Sequence, residues 1–343
     1  MEKHIYRTLT AFDFSQTAVL CSLVDFKGSV PRKDFPHMLV LADRMTRGTV
    51  GGGNLEHRVT KQARNVMETG EPQLLHFDLT GEDPTDEAGL CGGTATILVE
   101  SFTRELQQQF QKLNWEQVQP TAHQVLVHFN TNAGTVKRIW DWEKPVDNSI
   151  RTMFECDSQG KLAVSPGNGY WYRHVMTPPP VIHIFGAGHV GERVAALATF
   201  LDLDVMVYDD RAEMVSEERF PSAAGLQVDS FRNLMENFSP GAGDYVLVMT
   251  KGHRYDHLLI RRLLTLEIAY LGLMASKRKW ALLRKSLADE GFLPDQLNRV
   301  HAPLGLDIGS ETVPEIAVSI LSEVIHHLRL GKRSPIALMQ TEQ

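Results

Sequence analysis

Six consecutive residues, Gly186-Ala187-Gly188-His189-Val190-Gly191, carry the most specific chemistry in the chain. Their spacing suits a backbone that receives a phosphate. Gly186 allows a tight turn, Gly188 leaves no Cβ in the path of an approaching anion, and Gly191 permits close helix–strand packing. The free N–H groups of a helix opening at His189 and Val190 attract negative charge. Asp209 stands near the ~20-residue offset at which a carboxylate hydrogen-bonds a ribose hydroxyl, favouring an unphosphorylated ribose. Arg211, two residues on, could instead hold a further phosphate.

Such residues work only if strands and helices place them. Val181 to Phe185 is a short apolar run rich in β-branched residues, and a helical pattern runs from the glycines to Leu201. A second apolar run, Val205 to Tyr208, ends at Asp209. The order is strand, glycine turn, helix, strand, acid, as in a dinucleotide-type βαβ unit. Strand-like segments at 225–228, 245–249 and 268–273 alternate with helical ones, which predicts a doubly wound parallel sheet. Two of these strands end in Thr250-Lys251-Gly252-His253-Arg254-Tyr255-Asp256-His257 and Met274-Ala275-Ser276-Lys277-Arg278-Lys279. Ligands bind at the carboxyl ends of such strands, so Gly252, His253, Ser276, Lys277 and Arg278 join the candidates. Asp307, in His301-Ala302-Pro303-Leu304-Gly305-Leu306-Asp307-Ile308-Gly309, precedes a last helix from about Val313 to Leu330. His253 and His257 are four apart, but read as straddling a strand–helix junction, so no metal site is assigned. No GxSxG elbow supports hydrolase chemistry.

The first half is punctuated by glycine turns. Buried strands at 17–26 and 38–42 flank Lys27-Gly28-Ser29-Val30-Pro31-Arg32. Gly48-Thr49-Val50-Gly51-Gly52-Gly53-Asn54-Leu55-Glu56 leads into a helix ending at Gly70. Cys91-Gly92-Gly93 precedes a β-prone run, 94–99. A close-approaching ligand is a reason for so many glycines, so Gly51, Gly52, Gly53, Glu56, Cys91, Gly92 and Gly93 are candidates. Cys21, in an apolar strand, reads as a core residue. A helix is expected over 104–118, then strands at 123–130 and 135–141 and further β-like patches to Met176. Pro178-Pro179-Pro180 is a stiff break.

With 343 residues, 43% hydrophobic and 22% charged, the chain is an ordinary globular sequence long enough for two cores. A net charge of −7 argues against a nucleic-acid or anionic-membrane surface. No apolar stretch approaches the ~18 residues of a membrane span. Three cysteines without metal spacing, and no signal-peptide pattern, fit a reducing cytoplasm. The predicted fold class is α/β, a C-terminal Rossmann-like doubly wound parallel sheet with a separate N-terminal α+β domain. Boundaries are expected at 1–120, at 121–177 (a β-rich connecting region), at 178–333, and a tail at 334–343.

The motifs together resemble those of the xanthine dehydrogenase accessory proteins, the XdhC/CoxI family. The resemblance rests on Gly28-Ser29-Val30-Pro31-Arg32, Gly51-Gly52-Gly53-Asn54-Leu55-Glu56 and Cys91-Gly92-Gly93 in the first half. In the second it rests on the 186–191 turn, Asp209-Asp210-Arg211, Glu218-Arg219-Phe220-Pro221, Gly252-His253-Arg254-Tyr255-Asp256, Ser276-Lys277-Arg278-Lys279, the 301–309 loop and Glu315-Ile316-Ala317. Val30, Asn54 and Ala275 depart from the usual pattern. The resemblance implies a chaperone that binds molybdenum cofactor, as molybdopterin or its cytosine dinucleotide form. It implies a platform for sulfuration by a cysteine desulfurase, and delivery to a xanthine dehydrogenase-type molybdoenzyme. Cys91, facing an interdomain cleft, would meet the molybdenum–sulfur end, and a homodimer is expected. The alternatives are an NAD(P)-dependent oxidoreductase, for which no hydride-transfer acid can be named, and a nucleotide sensor.

Overall fold

Seven successive buried residues open β1 (Ala18–Gly28), so this strand is covered on both faces and not on one. The computed structural model describes residues 3–31, 36–79, 92–113, 123–140, 162–165, 169–176 and 180–331. The chain divides into two compact units, Met1–Pro178 and Pro179–Gln343.

In the first unit β1 is the centre of an antiparallel sheet ordered β3-β2-β1-β5-β4, with β2 His37–Leu41, β3 Thr46–Gly48, β4 Gln73–Asp78 and β5 Gly93–Ser101. Helix α2 (Gly53–Thr69) buries Leu55, Val59, Ala63 and Val66, a stripe at helical spacing. The stripe shares a core with Val19, Cys21, Leu23, Val40, Ile97 and Val99, the strand residues of that face. The helix stops at Gly70, whose φ of 73° is the left-handed cap that glycine adopts without strain. On the opposite face Leu20, Val24, Leu39 and Leu98 cluster with helices α1 (Lys3–Thr10) and α3 (Arg104–Gln111). A second antiparallel sheet, β7-β6-β9-β8, is built from β6 His123–Asn130, β7 Thr135–Trp140, β8 Leu162–Ser165 and β9 Gly169–Met176. Its Val125, Val127, Trp140, Tyr172 and Met176 belong to that same core. The β-rich middle region thus packs as part of the first unit. Helix α3 ends at Gln111, and residues 114–118 of the helix expected over 104–118 lie outside the described residues, while α1 and β3 had no counterpart in the sequence reading.

The second unit is a parallel sheet ordered β12-β11-β10-β13-β14-β15. Its strands are β10 Val181–Phe185, β11 Asp204–Asp209, β12 Gly225–Val228, β13 Tyr245–Val248, β14 Tyr270–Leu273 and the two-residue β15 Val300–His301. Ile182, Ile184, Val205 and Val207 share one core with α4 (His189–Phe200) and α9 (Val313–Leu330). Phe185, Val246 and Val248 share the other with α5 (Phe231–Glu236), α6 (His253–Leu263) and α7 (Lys277–Asp289), and the short α8 (Pro294–Leu297) follows α7. Two covered faces explain the unbroken apolar strands. Capping agrees with the sequence: Ser276 Oγ accepts from Lys279 N at 3.2 Å, and Thr312 with Glu315 forms a capping box opening α9. Strand order reverses at β10, which pairs with β11 on one side and β13 on the other. Among the described residues no helix is long and apolar enough to cross a membrane.

Candidate functional site

The glycine turn lies at that reversal, the crevice where sheets of this class receive ligands. Its three glycines are not equivalent. Gly186 has φ +120°, and a Cβ there would stand 2.4 Å from the carbonyl oxygen of Met249. A Cβ on Gly191 would meet Gly186 O at 2.2 Å, so glycine lets α4 sit against β10. Gly188 differs: a Cβ would touch nothing within 4 Å, and its φ of −72° is ordinary. Only Gly188 faces open space. His189, exposed, and Val190 begin α4, whose first-turn amides have no intrahelical acceptor.

The acid following β11 does not face that space. Asp209 is fully buried, its Oδ2 accepting from Ala187 N at 2.7 Å and from Arg211 Nη2 at 2.8 Å. Its Oδ1 accepts from Arg211 N at 3.1 Å and Nε at 2.8 Å. Burial opposes the charge, but the hydrogen bonds from Arg211 and Ala187 outweigh it and hold the carboxyl below the usual range. Both residues therefore stand differently from the sequence expectation: Asp209 has no oxygen facing a ribose, and Arg211 is folded back on Asp209. The carbonyl of Ala187 is also held, by Arg219 Nη1 at 2.9 Å. Arg219 grips Glu192 on α4 through Nε (2.9 Å) and Nη2 (2.6 Å), and Met214 O.

The neighbouring turns add charge. Gly252 (φ +137°) precedes α6, and a Cβ there meets nothing within 4 Å. Helix α6 starts at His253, so His253 and His257 lie on one helix and do not straddle a junction. His257 Nε2 pairs with Glu290 at 2.6 Å. Thr250 Oγ1 donates to buried Asp256 at 2.6 Å, and Lys279 pairs with the other oxygen of that carboxylate. Lys251, Arg254, Ser276, Lys277 and Arg278 are exposed. The basic triplet thus offers two side chains and not three. Asp307 is exposed in the loop leading to α9.

In the first unit, Glu56 turns back onto its own loop. Its Oε1 accepts from Thr49 Oγ1, from Val50 N at 3.1 Å and from Gly52 N at 2.9 Å. Glu56 shapes the turn, while Cβ atoms on Gly52 and Gly53 would meet nothing within 4 Å. Gly51 (φ +140°) packs against Pro31. Gly93 is required by packing, since a Cβ would lie 2.3 Å from Lys27 O; Gly92 (φ +73°) is open. Cys91 lies outside the described residues. Cys21 is buried, and that burial pushes its thiol far up. Among the described residues no group of three or more His, Cys, Asp or Glu is arranged to hold a metal ion. Sequence reading missed the anchoring roles of Arg219 and Asp256, because their partners Ala187, Glu192 and Lys279 come from other turns.

Comparison with known proteins follows the same two halves. Residues 182–324 match the family model described as the XdhC Rossmann domain, and residues 14–78 match that of the XdhC and CoxI family. The chain belongs to the XdhC and CoxI family. It is 26% identical over 321 residues to the uncharacterized protein YqeB of Escherichia coli, covering 93% of this chain but only 44% of that protein's length. It is 25% identical to a Bacillus subtilis protein named as a probable xanthine dehydrogenase component, over 90% of this chain and 93% of the other. It is 23% identical to the molybdenum cofactor insertion chaperone PaoD of Escherichia coli, over 90% and 82%. A crystal structure of a xanthine dehydrogenase from Bacillus halodurans shares the fold, with a TM-score of 0.79 at 24% identity over 97% of this chain and 98% of the other.

Proposed function

We propose that this XdhC and CoxI family chain is a molybdenum cofactor chaperone: it holds the cofactor while a cysteine desulfurase sulfurates it, then delivers it to a xanthine dehydrogenase-type molybdoenzyme. The observation that carries the reading is the open face of Gly188 beside unpaired α4 amides. The exposed cations Lys251, Arg254, Lys277 and Arg278 stand on the same carboxyl edge of the sheet. Molybdopterin bears a phosphate ester, and such an edge favours an anion without supplying a reacting group. The name of PaoD, a molybdenum cofactor insertion chaperone, agrees with this cargo. In the first unit Cβ atoms on Gly52, Gly53 and Gly92 would each meet nothing within 4 Å, and we assign Cys91 to the sulfur end of the cargo. Action as a cytoplasmic homodimer completes the proposal.

An oxidoreductase using NAD(P) fits less well, because buried Asp209 has no oxygen facing a ribose. The test is to coexpress the chain with a candidate molybdoenzyme, then measure molybdenum and cyanolysable sulfur in that enzyme. The proposal expects both to fall when the chain is omitted, and a fluorescent pterin to appear after oxidation of the purified chain. Tight NAD(H) with substrate turnover, and no pterin, would replace it with the oxidoreductase.

A further inference from the structure

Two successive peptide groups meet at Ala187 and both are held: the N–H of the 186–187 peptide donates to Asp209 at 2.7 Å, and the carbonyl of the 187–188 peptide accepts from Arg219 at 2.9 Å. A trans peptide is planar, so fixing the Ala187 carbonyl fixes the Gly188 N–H in the opposite direction. Arg219 fixes that carbonyl, so the Gly188 N–H of the same peptide is turned the other way. The guanidinium is anchored, because Glu192 and Met214 O hold three more of its donors. Asp209 is tied in turn by Arg211 on both oxygens. Every polar atom of this acid is therefore engaged inside the protein, at complete burial.

We infer that Asp209 and Arg219 are positioning residues that aim the amides of the glycine turn, and that the socket reads a phosphate ester through its backbone and not a ribose through the acid. The inference rests on the proposed reading of the turn as an anion site. It narrows the ligand to a class: a phosphate ester whose sugar, where one is present, goes unread by Asp209.

Inorganic pyrophosphate and ADP-ribose, titrated calorimetrically into the full-length chain, separate the two roles, since only the second carries ribose. Asp209→Asn and Arg219→Lys are compared with the unaltered chain. Lysine keeps the charge but cannot span Ala187 O and Glu192 together. Each variant is expected to lose about tenfold in affinity, the scale of one misplaced charge-assisted hydrogen bond. The loss should be equal for both probes. In ligand-free Arg219→Lys, the amide NMR resonances of Gly188 and His189 should move while those of β1 stay, which a general loss of stability would not produce. Should Asp209→Asn fail to fold, Arg219→Lys alone carries the test. Weakened ADP-ribose binding with unchanged pyrophosphate binding in Asp209→Asn would make the acid a ribose reader and overturn the inference. Unchanged affinities and unmoved amides in Arg219→Lys would overturn it too. If the unaltered chain binds neither probe, the anion-site reading itself falls, and the inference with it.

Discussion

At the scale of single residues, the glycines separate folding from binding. Gly191→Ala places a Cβ 2.2 Å from Gly186 O and should destabilise the second unit by about 1–3 kcal/mol, read from denaturant midpoints. Gly188→Ala meets no atom within 4 Å and keeps an allowed φ, so stability should hold while affinity for a phosphate-bearing ligand drops. Equal effects on both measurements would contradict that division. Glu56→Ala strands Val50 N and Gly52 N, and should cost about 1–3 kcal/mol in chemical denaturation. The spacing of 186–191 was readable because glycine's roles there are local. The fate of Asp209 was not: spacing put an acid beside the turn, but Arg211 and Ala187 decided which way it faced.

At the scale of elements, the strands show why apolar runs are legible and polar seams are not. β1, α2, β10 and α9 announce themselves through buried stripes. Nothing in the sequence shows that β1, β2, β5, β7 and β9 bring polar groups together between the two sheets of the first unit. There Ser22 Oγ lies 2.8 Å from His37 Nδ1, the His37 and His174 rings stack at 5.3 Å, and Arg138 makes a two-pronged ion pair with Glu100. Burial pushes both histidines below their ordinary range, His174 to about 3, which favours their neutral forms in the folded chain. Their contribution is intact above about pH 6.5 and is lost as pH falls from there towards about 3, because the unfolded chain binds those protons first. Urea midpoints of the first unit should therefore fall between pH 6.5 and about 4, and His174→Phe should flatten the slope. A midpoint constant across that range would contradict the neutral assignment. Arg138→Met leaves Glu100 buried and unpaired, which should cost about 3–5 kcal/mol, whereas Arg138→Met with Glu100→Leu should recover most of it.

At the scale of the whole molecule, two core clusters among the described residues belong to the first unit and two flank the parallel sheet of the second. Composition and the triple proline led to an expected boundary at 177/178. They did not anticipate that the sheet of β6 to β9 shares the first core, which depends on long-range pairing. The function rests on one claim, that the chain holds a phosphate-bearing molybdenum pterin and does not transform it. The most direct measurement is equilibrium binding of molybdenum cofactor to the isolated full-length chain, with pterin and molybdenum quantified before and after. The account predicts saturable binding that weakens in Gly188→Ala and returns the cofactor chemically intact. No affinity for the pterin in any metalated or sulfurated form would contradict it.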